Sequence, residues 1–497
     1  MTARERVLVF ACAAVVLYLT LFRGLTPIFP FDMGTNGVFF DQAARVLSGE
    51  VMYRDFFEFV GPGVVHLHAL VLAVAGPTIG AMTAAMVVQG ALLTVLVHAL
   101  SARMAGPGFR LLAPAVFAVL VYAPYVLGDH KWPALMCALL GLLVLTGGGH
   151  TPRRAFLAGV CLGGSAVFTQ DLGAGVVAGV LASLALRRRG AGARPVLLVL
   201  SGAALPLAAA FAFFAAQAGA RTVVYDWLLY PLQRYPEMNR SYLDLVPSLR
   251  TLPRELAQVV LGLSSVAAAF ISDRRTRHSA EKPGAETAAL VAAAGLGMVA
   301  AMGHRGLYPM GVAVQTCLLL PVLGRTLERW WKAAGGAQRR LATTVLCIAA
   351  AGLIHGAVGL VVWRQVFQPM TREQHRAGAI WTVSPLPELS WIEAQTEPGE
   401  GTFLMPAKGG HYFLSRTRNV TAFPYLLEGQ NTVEQGRRAL AQIEAARPRA
   451  GVWDQRPWPR TEPGTPGPLA FLYDGLLRSY DAETLPNGVV LLRLKKK

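Results

Sequence analysis

The sequence predicts an α-helical, polytopic membrane protein that carries a small α/β domain at its C-terminal end. Hydrophobic residues make up 54% of the 497 residues and charged residues only 15%, whereas soluble proteins have about 25% charged residues. Apolar runs of the length needed to cross a bilayer, roughly 17 to 25 residues, recur from residue 6 to residue 364 and then stop. The chain therefore divides into a transmembrane region, residues 1–364, and a soluble region, residues 365–497.

The location of the basic residues gives the predicted topology. A net charge of +17 would suggest a nucleic-acid partner in a soluble protein, but here Lys and Arg concentrate in short loops between apolar runs, which is the positive-inside pattern. We therefore expect no nucleic acid, a cytoplasmic N-terminus and an outer C-terminal domain. The pattern predicts about eleven spans, near residues 6–22, 79–103, 111–127, 131–147, 155–170, 173–187, 195–218, 254–272, 286–303, 306–324 and 341–364. Residues 64–76 are too short to span and are interpreted as a re-entrant or interfacial piece.

The first outer loop, residues 23–78, contains the densest mixture of acids, aromatics and turn residues. Its central part predicts an amphipathic interfacial helix, with Asp41 and Arg45 on the polar face. Asp41 is either the partner of Arg45 in a surface ion pair, since the two are four residues apart, or a catalytic carboxylate. Asp32 lies in a glycine-containing loop with no local cation, and is either a cap or a proton acceptor.

Polar residues elsewhere also gather in the predicted outer loops. Tyr53-Arg54-Asp55-Phe56-Phe57 leads into a Gly-Pro-Gly turn and is either a membrane-surface anchor or part of a site. The other polar stretches are GDHK at 128–131, TQDLG at 169–173, GHRG at 303–306 and the loop 219–253. Their clustering on one face, opposite the Arg-rich and Lys-rich loops, predicts a site at the outer interface.

In this order the segments resemble those of the membrane-integral GT-C glycosyltransferases, in particular bacterial relatives of protein O-mannosyltransferases and lipid A aminoarabinose transferases. The resemblance covers residues 5 to about 330 in layout. It depends on the first span, the Asp-bearing loop, the amphipathic helix and YRDFF, together with FTQDLG at 168–173, GDHKW at 128–132 and GHRGLYP at 303–309. The family has an acidic residue just before the helix, where this chain has Thr35-Asn36.

The resemblance implies sugar transfer from a polyprenyl-phosphate donor to a hydroxyl of a lipid, glycan or protein acceptor, at the outer face of a bacterial inner membrane. A carboxylate takes the acceptor proton, and cations offset the charge of the departing phosphate. The catalytic candidates are Asp32, Asp41 and Asp55. The donor-phosphate candidates are His130, Lys131, Arg234, Arg240 and Arg305, and the substrate-binding candidates are Tyr53, Arg54, Gln170, Asp171 and His304.

The motifs predict no cofactor and leave a divalent metal ion open. The main alternative is a transporter or lipid flippase without covalent chemistry, for which paired broken helices and two related halves are typical. A third alternative is a scaffold whose working part is the C-terminal domain. In that domain, helices near 387–395, 432–446 and 469–480 alternate with strands near 402–406, 450–454 and 488–494.

Overall fold

The computed structural model describes most of the chain, and its helices account for most of the first 333 residues. It describes residues 3–21, 23–29, 36–126, 128–147, 151–186, 193–233, 284–302, 317–333, 368–406, 408–427, 430–454 and 469–496, with short isolated pieces between 314 and 359. The predicted spans 254–272 and 341–364 lie wholly or largely outside these residues, as does the first part of the span 306–324.

The described helices of the first region are α1 Ala3–Leu21, α2 Asn36–Leu47, α3 Gly63–Ala75, α4 Ile79–Ala102, α5 Leu112–Val116, α6 Lys131–Leu145, α7 Pro152–Phe168, α8 Gln170–Leu186, α9 Arg194–Ala218, α10 Ala220–Val223, α11 Ala285–Met302 and α12 Leu320–Ala333. Most of these helices are apolar, whereas α2 and α12 are amphipathic. Phe117–Tyr122 extends α5, and Val224–Leu229 extends α10, each as a π-helix. Within the described residues, α4 and α9 are long and apolar enough to cross a membrane by length and composition.

Small residues let the membrane helices approach closely. A side chain on Gly159 of α7 would overlap the backbone of Val199 in α9, and one on Gly202 of α9 would overlap the backbone of Phe156 in α7. Contacts of this kind are usual between helices in lipid, because van der Waals packing replaces the hydrophobic effect as the main attraction between them.

The described residues of the C-terminal region form four helices and seven strands, and these strands make two sheets together with one strand of the first loop. The helices are α13 Pro387–Gln395, α14 Gly409–Ser415, α15 Val433–Ala446 and α16 Phe471–Ser479. One sheet has the order β1-β3-β2 and the other has the order β5-β4-β6-β8-β7. The strands are β1 Ile28–Phe29, β2 Thr371–His375, β3 Gly378–Thr382, β4 Gly401–Met405, β5 Arg418–Asn419, β6 Ala450–Asp454, β7 Tyr480–Thr484 and β8 Val489–Leu494.

The six elements predicted in this region occur within two residues of their predicted bounds. The prediction missed α14, the hairpin β2–β3 and the strands β5 and β7. Strand β2 has the sequence TREQH and is mostly exposed, so it lacks the apolar alternation that marks a strand. The boundary at residues 364 and 365 stays a prediction.

The first loop is part of the same structure as the C-terminal region. Strand β1 pairs in parallel with β3, with Ile28 opposite Trp381, and the Arg23 guanidinium lies 4.5 Å from the centre of the Trp381 ring. The loop that follows α1 is therefore fixed against a segment about 350 residues later in the chain.

Candidate active site

Helix α2 lies between the membrane helices and the C-terminal region. Its first turn contacts the first turn of α14, where a side chain on Gly37 would overlap the backbone of Gly410 and one on Gly409 would overlap the backbone of Val38. On another side, Phe39 packs against His130 with ring centres 5.6 Å apart, and Phe40 packs against His68 at 5.3 Å. The helix predicted to lie at an interface is therefore enclosed by protein.

Asp41 lies in this enclosed part of α2 with only 3% of its surface exposed. Burial raises the pKa of its carboxyl group to about 7, although the charge of Arg45 acts to lower it. Its Oδ2 atom has no hydrogen-bond partner among the described residues. The pKa of Tyr412 in α14 is raised mainly by burial, and the nearby charge of Asp41 adds to that rise.

The ion pair predicted between Asp41 and Arg45 is wrong. Arg45 instead binds Glu50, with its Nε and Nη2 atoms each 2.7 Å from Oε2. It also donates to the Thr421 carbonyl at 3.2 Å and lies over the Phe56 ring at 4.8 Å. The predicted exposed polar face of α2 is buried because the C-terminal region covers it.

A buried acid that the sequence analysis did not select follows YRDFF directly. Glu58 is 1% exposed, and its Oε2 accepts a hydrogen bond of 2.6 Å from Gln42 Nε2 on α2. Its Oε1 accepts bonds from the backbone N–H groups of Phe59 and Val60 and from the Tyr425 hydroxyl. Burial raises the pKa of Glu58, and these donors act against that rise.

The signal for Glu58 was present in the sequence. A carboxylate inside the aromatic run FFEF has to find hydrogen-bond donors if the aromatics are buried. Of the two alternatives for YRDFF, the surface anchor is wrong, because Phe56 and Phe57 are 1% and 8% exposed and Phe57 donates its backbone N–H to the Ala422 carbonyl at 2.8 Å.

Asp55 and Arg54 lie in the loop after α2 and are partly exposed. Asp55 Oδ2 accepts a bond of 2.7 Å from the Val51 backbone N–H and pairs with Arg54 Nη2 at 2.7 Å. The hydrogen bond from Arg54 lowers the pKa of Asp55. Tyr53, which precedes them, is buried and has a φ of +70°, a left-handed conformation that is uncommon for a bulky residue. Its hydroxyl donates to the Val60 carbonyl at 3.3 Å.

Gln170 joins three parts of the site at the N-terminus of α8. Its Nε2 atom donates to the carbonyls of Phe59 at 2.8 Å and Trp227 at 3.0 Å. Asp171 follows in the first turn of α8 and accepts the backbone N–H of Leu172. Asp226, beside Trp227, is buried, and its pKa is raised to about 7 by burial and, to a smaller extent, by the charge of Glu58.

The GDHK segment supplies a charged group next to α2. Lys131 Nζ lies 3.3 Å from both oxygens of Asp129, and the lysine side chain keeps 21% of its surface exposed. Burial acts to raise the pKa of Asp129, but His130 and Lys131 outweigh it and lower the pKa. The His130 carbonyl accepts the Thr169 hydroxyl at 3.2 Å, which holds this turn against the start of α8.

A buried ionic cluster joins the start of α14 to α13 and β6. Lys408, just before α14, lies 3.3 Å from Glu388 Oε1 and 3.0 Å from Asp454 Oδ2. The same Glu388 oxygen is 3.2 Å from His411 Nε2. Burial acts to raise the pKa of Glu388, but His411 and Lys408 lower it to about 2.

The structure thus brings together Asp41, Tyr53, Gln170, His130 and Lys131 around α2 and the loop after it. Five predicted site residues lie outside the described residues, namely Asp32, Arg234, Arg240, His304 and Arg305. Within the described part of the chain, no group of three or more His, Cys, Asp or Glu side chains has the arrangement of a metal site.

Comparison with solved structures identifies the fold of the chain. The chain has the GT-C fold of membrane-integral glycosyltransferases, as the resemblance in the sequence predicted. No protein-family model matches the sequence, and no curated protein matches it in sequence.

Three solved structures support this conclusion over almost the whole chain. ArnT from Cupriavidus metallidurans bound to undecaprenyl phosphate superposes with a TM-score of 0.61 at 13% identity, over 99% of this chain and 98% of that one. ArnT in the apo state gives 0.63 at 11% identity, with the same coverage. The oligosaccharyltransferase AglB from Archaeoglobus fulgidus, in complex with an inhibitory peptide and a dolichol-phosphate, gives 0.51 at 12% identity over 99% of this chain and 74% of that one.

Proteins with this fold are integral membrane proteins, so a membrane location for the chain is supported. The count of about eleven spans, the orientation of the termini and the kind of membrane stay predictions.

Proposed function

We propose that the protein is a glycosyltransferase that moves a sugar from a polyprenyl phosphate to an acceptor hydroxyl at the outer face of the membrane. The observation that carries the proposal is the match over 99% of the chain to a fold solved with undecaprenyl phosphate bound. The proposal is also supported by the buried acidic and basic groups on and around α2, which is the amphipathic helix on which the sequence resemblance depends.

Asp41 is the catalytic base in this proposal. Acid–base catalysis is most effective when the pKa of the group lies near the working pH, and the pKa of Asp41 is raised to about 7. A buried, shifted carboxyl group with an unpartnered oxygen is a common feature of a working site. Asp32 lies between β1 and α2 in the sequence, and we retain it as a second candidate.

Asp55 is the weakest of the three candidate bases. Its pKa is lowered by the hydrogen bond from Arg54, and both of its oxygens already accept bonds from Val51 or Arg54. We assign Asp55 and Arg54 to the rim of the site, where they contact substrate, and the buried Tyr53 to positioning the loop behind them.

The proposed reaction balances as a substitution at the anomeric carbon. The acceptor oxygen forms a bond to that carbon while its proton passes to the Asp41 carboxylate. The bond from the anomeric carbon to the phosphate oxygen breaks, and polyprenyl phosphate leaves with the bonding electrons. Lys131 and His130 are the described candidates to stabilise that phosphate, with Arg234, Arg240 and Arg305 as further candidates.

Gln170 has a supporting role in this proposal. Its amide bridges the carbonyls of Phe59 and Trp227, and so holds the loop after α2 against the segment that leads to Arg234. The sugar, the acceptor and the length of the lipid are left open. A transporter or flippase is not favoured, since the fold is that of group-transfer enzymes.

The test is transfer of label from a panel of radiolabelled polyprenyl-phosphate sugars in membranes that contain the protein. Membranes with the wild-type chain should release polyprenyl phosphate and pass label to an acceptor for at least one sugar, and membranes without the chain should not. Asp32→Asn, Asp41→Asn and Asp55→Asn are compared in the same membranes. Transfer that is unaffected by all three substitutions would refute the carboxylate mechanism.

A further inference from the structure

A groove lies between α6 and α7 at the end of the bundle that faces away from α2. It has a volume of about 570 Å³ and is lined by Arg103, Leu140, Leu143, Val144, Gly147, Thr151, Arg153, Arg154 and Leu157. Nothing in the proposed reaction uses these residues.

The position of the groove follows from the direction of the helices. Helix α4 begins next to the C-terminal region, where the Ile79 backbone N–H donates to the Ala377 carbonyl at 2.9 Å, and it ends before Arg103. Helix α6 begins at Lys131, beside α2, and ends at Leu145. The groove therefore lies one full length of α6 from the candidate active site, about 22 Å for a helix of that length.

Three guanidinium groups border the groove. Arg103 donates to the Leu143 carbonyl and to Thr146 Oγ1 at 2.6 Å, so its position is fixed by α6. Arg153 and Arg154 lie in the first turn of α7, where the helix dipole adds a partial positive charge. No ion pair to an acidic side chain involves these three arginines within the described ranges.

The walls of the groove are apolar and partly exposed. Leu140 and Leu157 are exposed, at 39% and 42%, and they face the groove together with Leu143 and Val144. A concave site with a cationic end and apolar walls complements a molecule that has an anionic head and a hydrocarbon tail.

We propose that this groove binds an anionic phospholipid of the membrane leaflet opposite the active site. The phosphate lies among the three guanidinium groups, which suit phosphate oxygens by charge and by their fork geometry. One acyl chain lies along the leucines and Val144. The apolar walls distinguish this ligand from a free phosphate ion, which gains nothing from them.

The test measures lipid binding to the full-length purified protein in detergent by native mass spectrometry. The probes are phosphatidylglycerol, phosphatidylcholine with the same chains, and inorganic phosphate. The variant is Arg153→Gln/Arg154→Gln, which leaves Arg103 to tie α4 to α6. The control is Arg329→Gln/Arg340→Gln, which removes the same charge away from the groove.

The wild-type protein should retain phosphatidylglycerol in preference to phosphatidylcholine. The groove variant should lose about 25-fold in affinity for it, roughly five-fold for each arginine, while the control variant keeps the wild-type affinity. Equal affinity of the wild type and the groove variant would overturn the proposal. So would equal binding of the two lipids by the wild type, or displacement of phosphatidylglycerol by millimolar inorganic phosphate.

Discussion

The Gln42 side-chain amide donates a hydrogen bond of 2.6 Å to Glu58, and this bond joins α2 to the loop that follows it. Both residues are buried. The loop also contains Tyr53 and the Phe59 carbonyl that Gln170 binds, so the position of α2 and the position of this loop depend on each other.

Replacing Gln42 by leucine tests this dependence. Gln42→Leu keeps the size of the side chain but removes the donor to the buried Glu58 Oε2, and an unsatisfied buried acceptor costs about 1–3 kcal/mol. We expect a lower melting temperature in detergent and reduced transfer. Gln217→Leu is the control, since Gln217 binds only a carbonyl of its own helix in an exposed position; an equal loss in both variants would argue against the network.

Because α2 and α14 are in close contact, we expect that one added methyl group at this contact reduces the rate of transfer. Gly37→Ala places a Cβ atom against the Gly410 backbone, and α2 has to move away from α14. A displacement of about 1 Å at a catalytic group can reduce the rate about 100-fold, so we expect a loss of at least ten-fold in transfer. Gly108→Ala, with open space around it, should keep the wild-type rate. Wild-type activity of Gly37→Ala would contradict the contact.

The cluster around Lys408 predicts a large effect on stability. Lys408→Met removes the cation that lies 3.3 Å from the buried Glu388, and breaking a buried pair in this way costs about 3–5 kcal/mol. Arg437→Met is the control, because its pair with Glu434 is exposed on both sides and such pairs contribute about 1 kcal/mol or less. The melting temperature of Lys408→Met should be clearly lower than that of Arg437→Met. Similar values would show that the cluster contributes little to stability.

The same cluster predicts loss of stability in acid. The pKa of Glu388 is about 2 in the folded protein, below its ordinary value of 4.5. A lowered folded pKa stabilises the protein above the unfolded pKa, and that contribution is lost as the pH falls from about 4.5 towards 2. Glu388→Gln should remove this part of the pH dependence, as measured by melting temperature against pH. A wild-type acid profile in that variant would exclude Glu388 as its source.

Much of the fold could be predicted from local patterns, and the burial of α2 could not. The apolar runs give α4, α6, α7, α8 and α9, because a span of hydrocarbon demands a continuous apolar helix. The acid and aromatic pattern around Asp41 identifies α2 as a helix of the site. The same pattern suggests an exposed polar face, because nothing local shows that α14, some 370 residues later in the chain, covers it. Glu58 was missed for the same reason, since its donor Tyr425 is also distant in sequence.

The raised pKa of Asp41 predicts opposite effects of one substitution on stability and activity. Since the folded pKa is above the unfolded value, the charged form is disfavoured in the folded protein, and stability falls as the pH rises from about 4 to about 7. Asp41→Asn removes that loss, so its melting temperature at pH 8 should equal or exceed that of the wild type. Asp55→Asn should instead lower the melting temperature at pH 8, because the lowered pKa of Asp55 stabilises the fold above pH 4.

The measurement that tests the central claim most directly is the rate of sugar transfer against pH for the wild type and for Asp41→Asn, with the best donor of the panel. Because the base has to be deprotonated, the wild-type rate should rise with pH and level off above an inflection near 7. Asp41→Asn should lose about 100-fold to 10,000-fold in rate and the inflection with it, while remaining folded. A folded Asp41→Asn protein that keeps the wild-type rate and the same inflection would contradict Asp41 as the catalytic base.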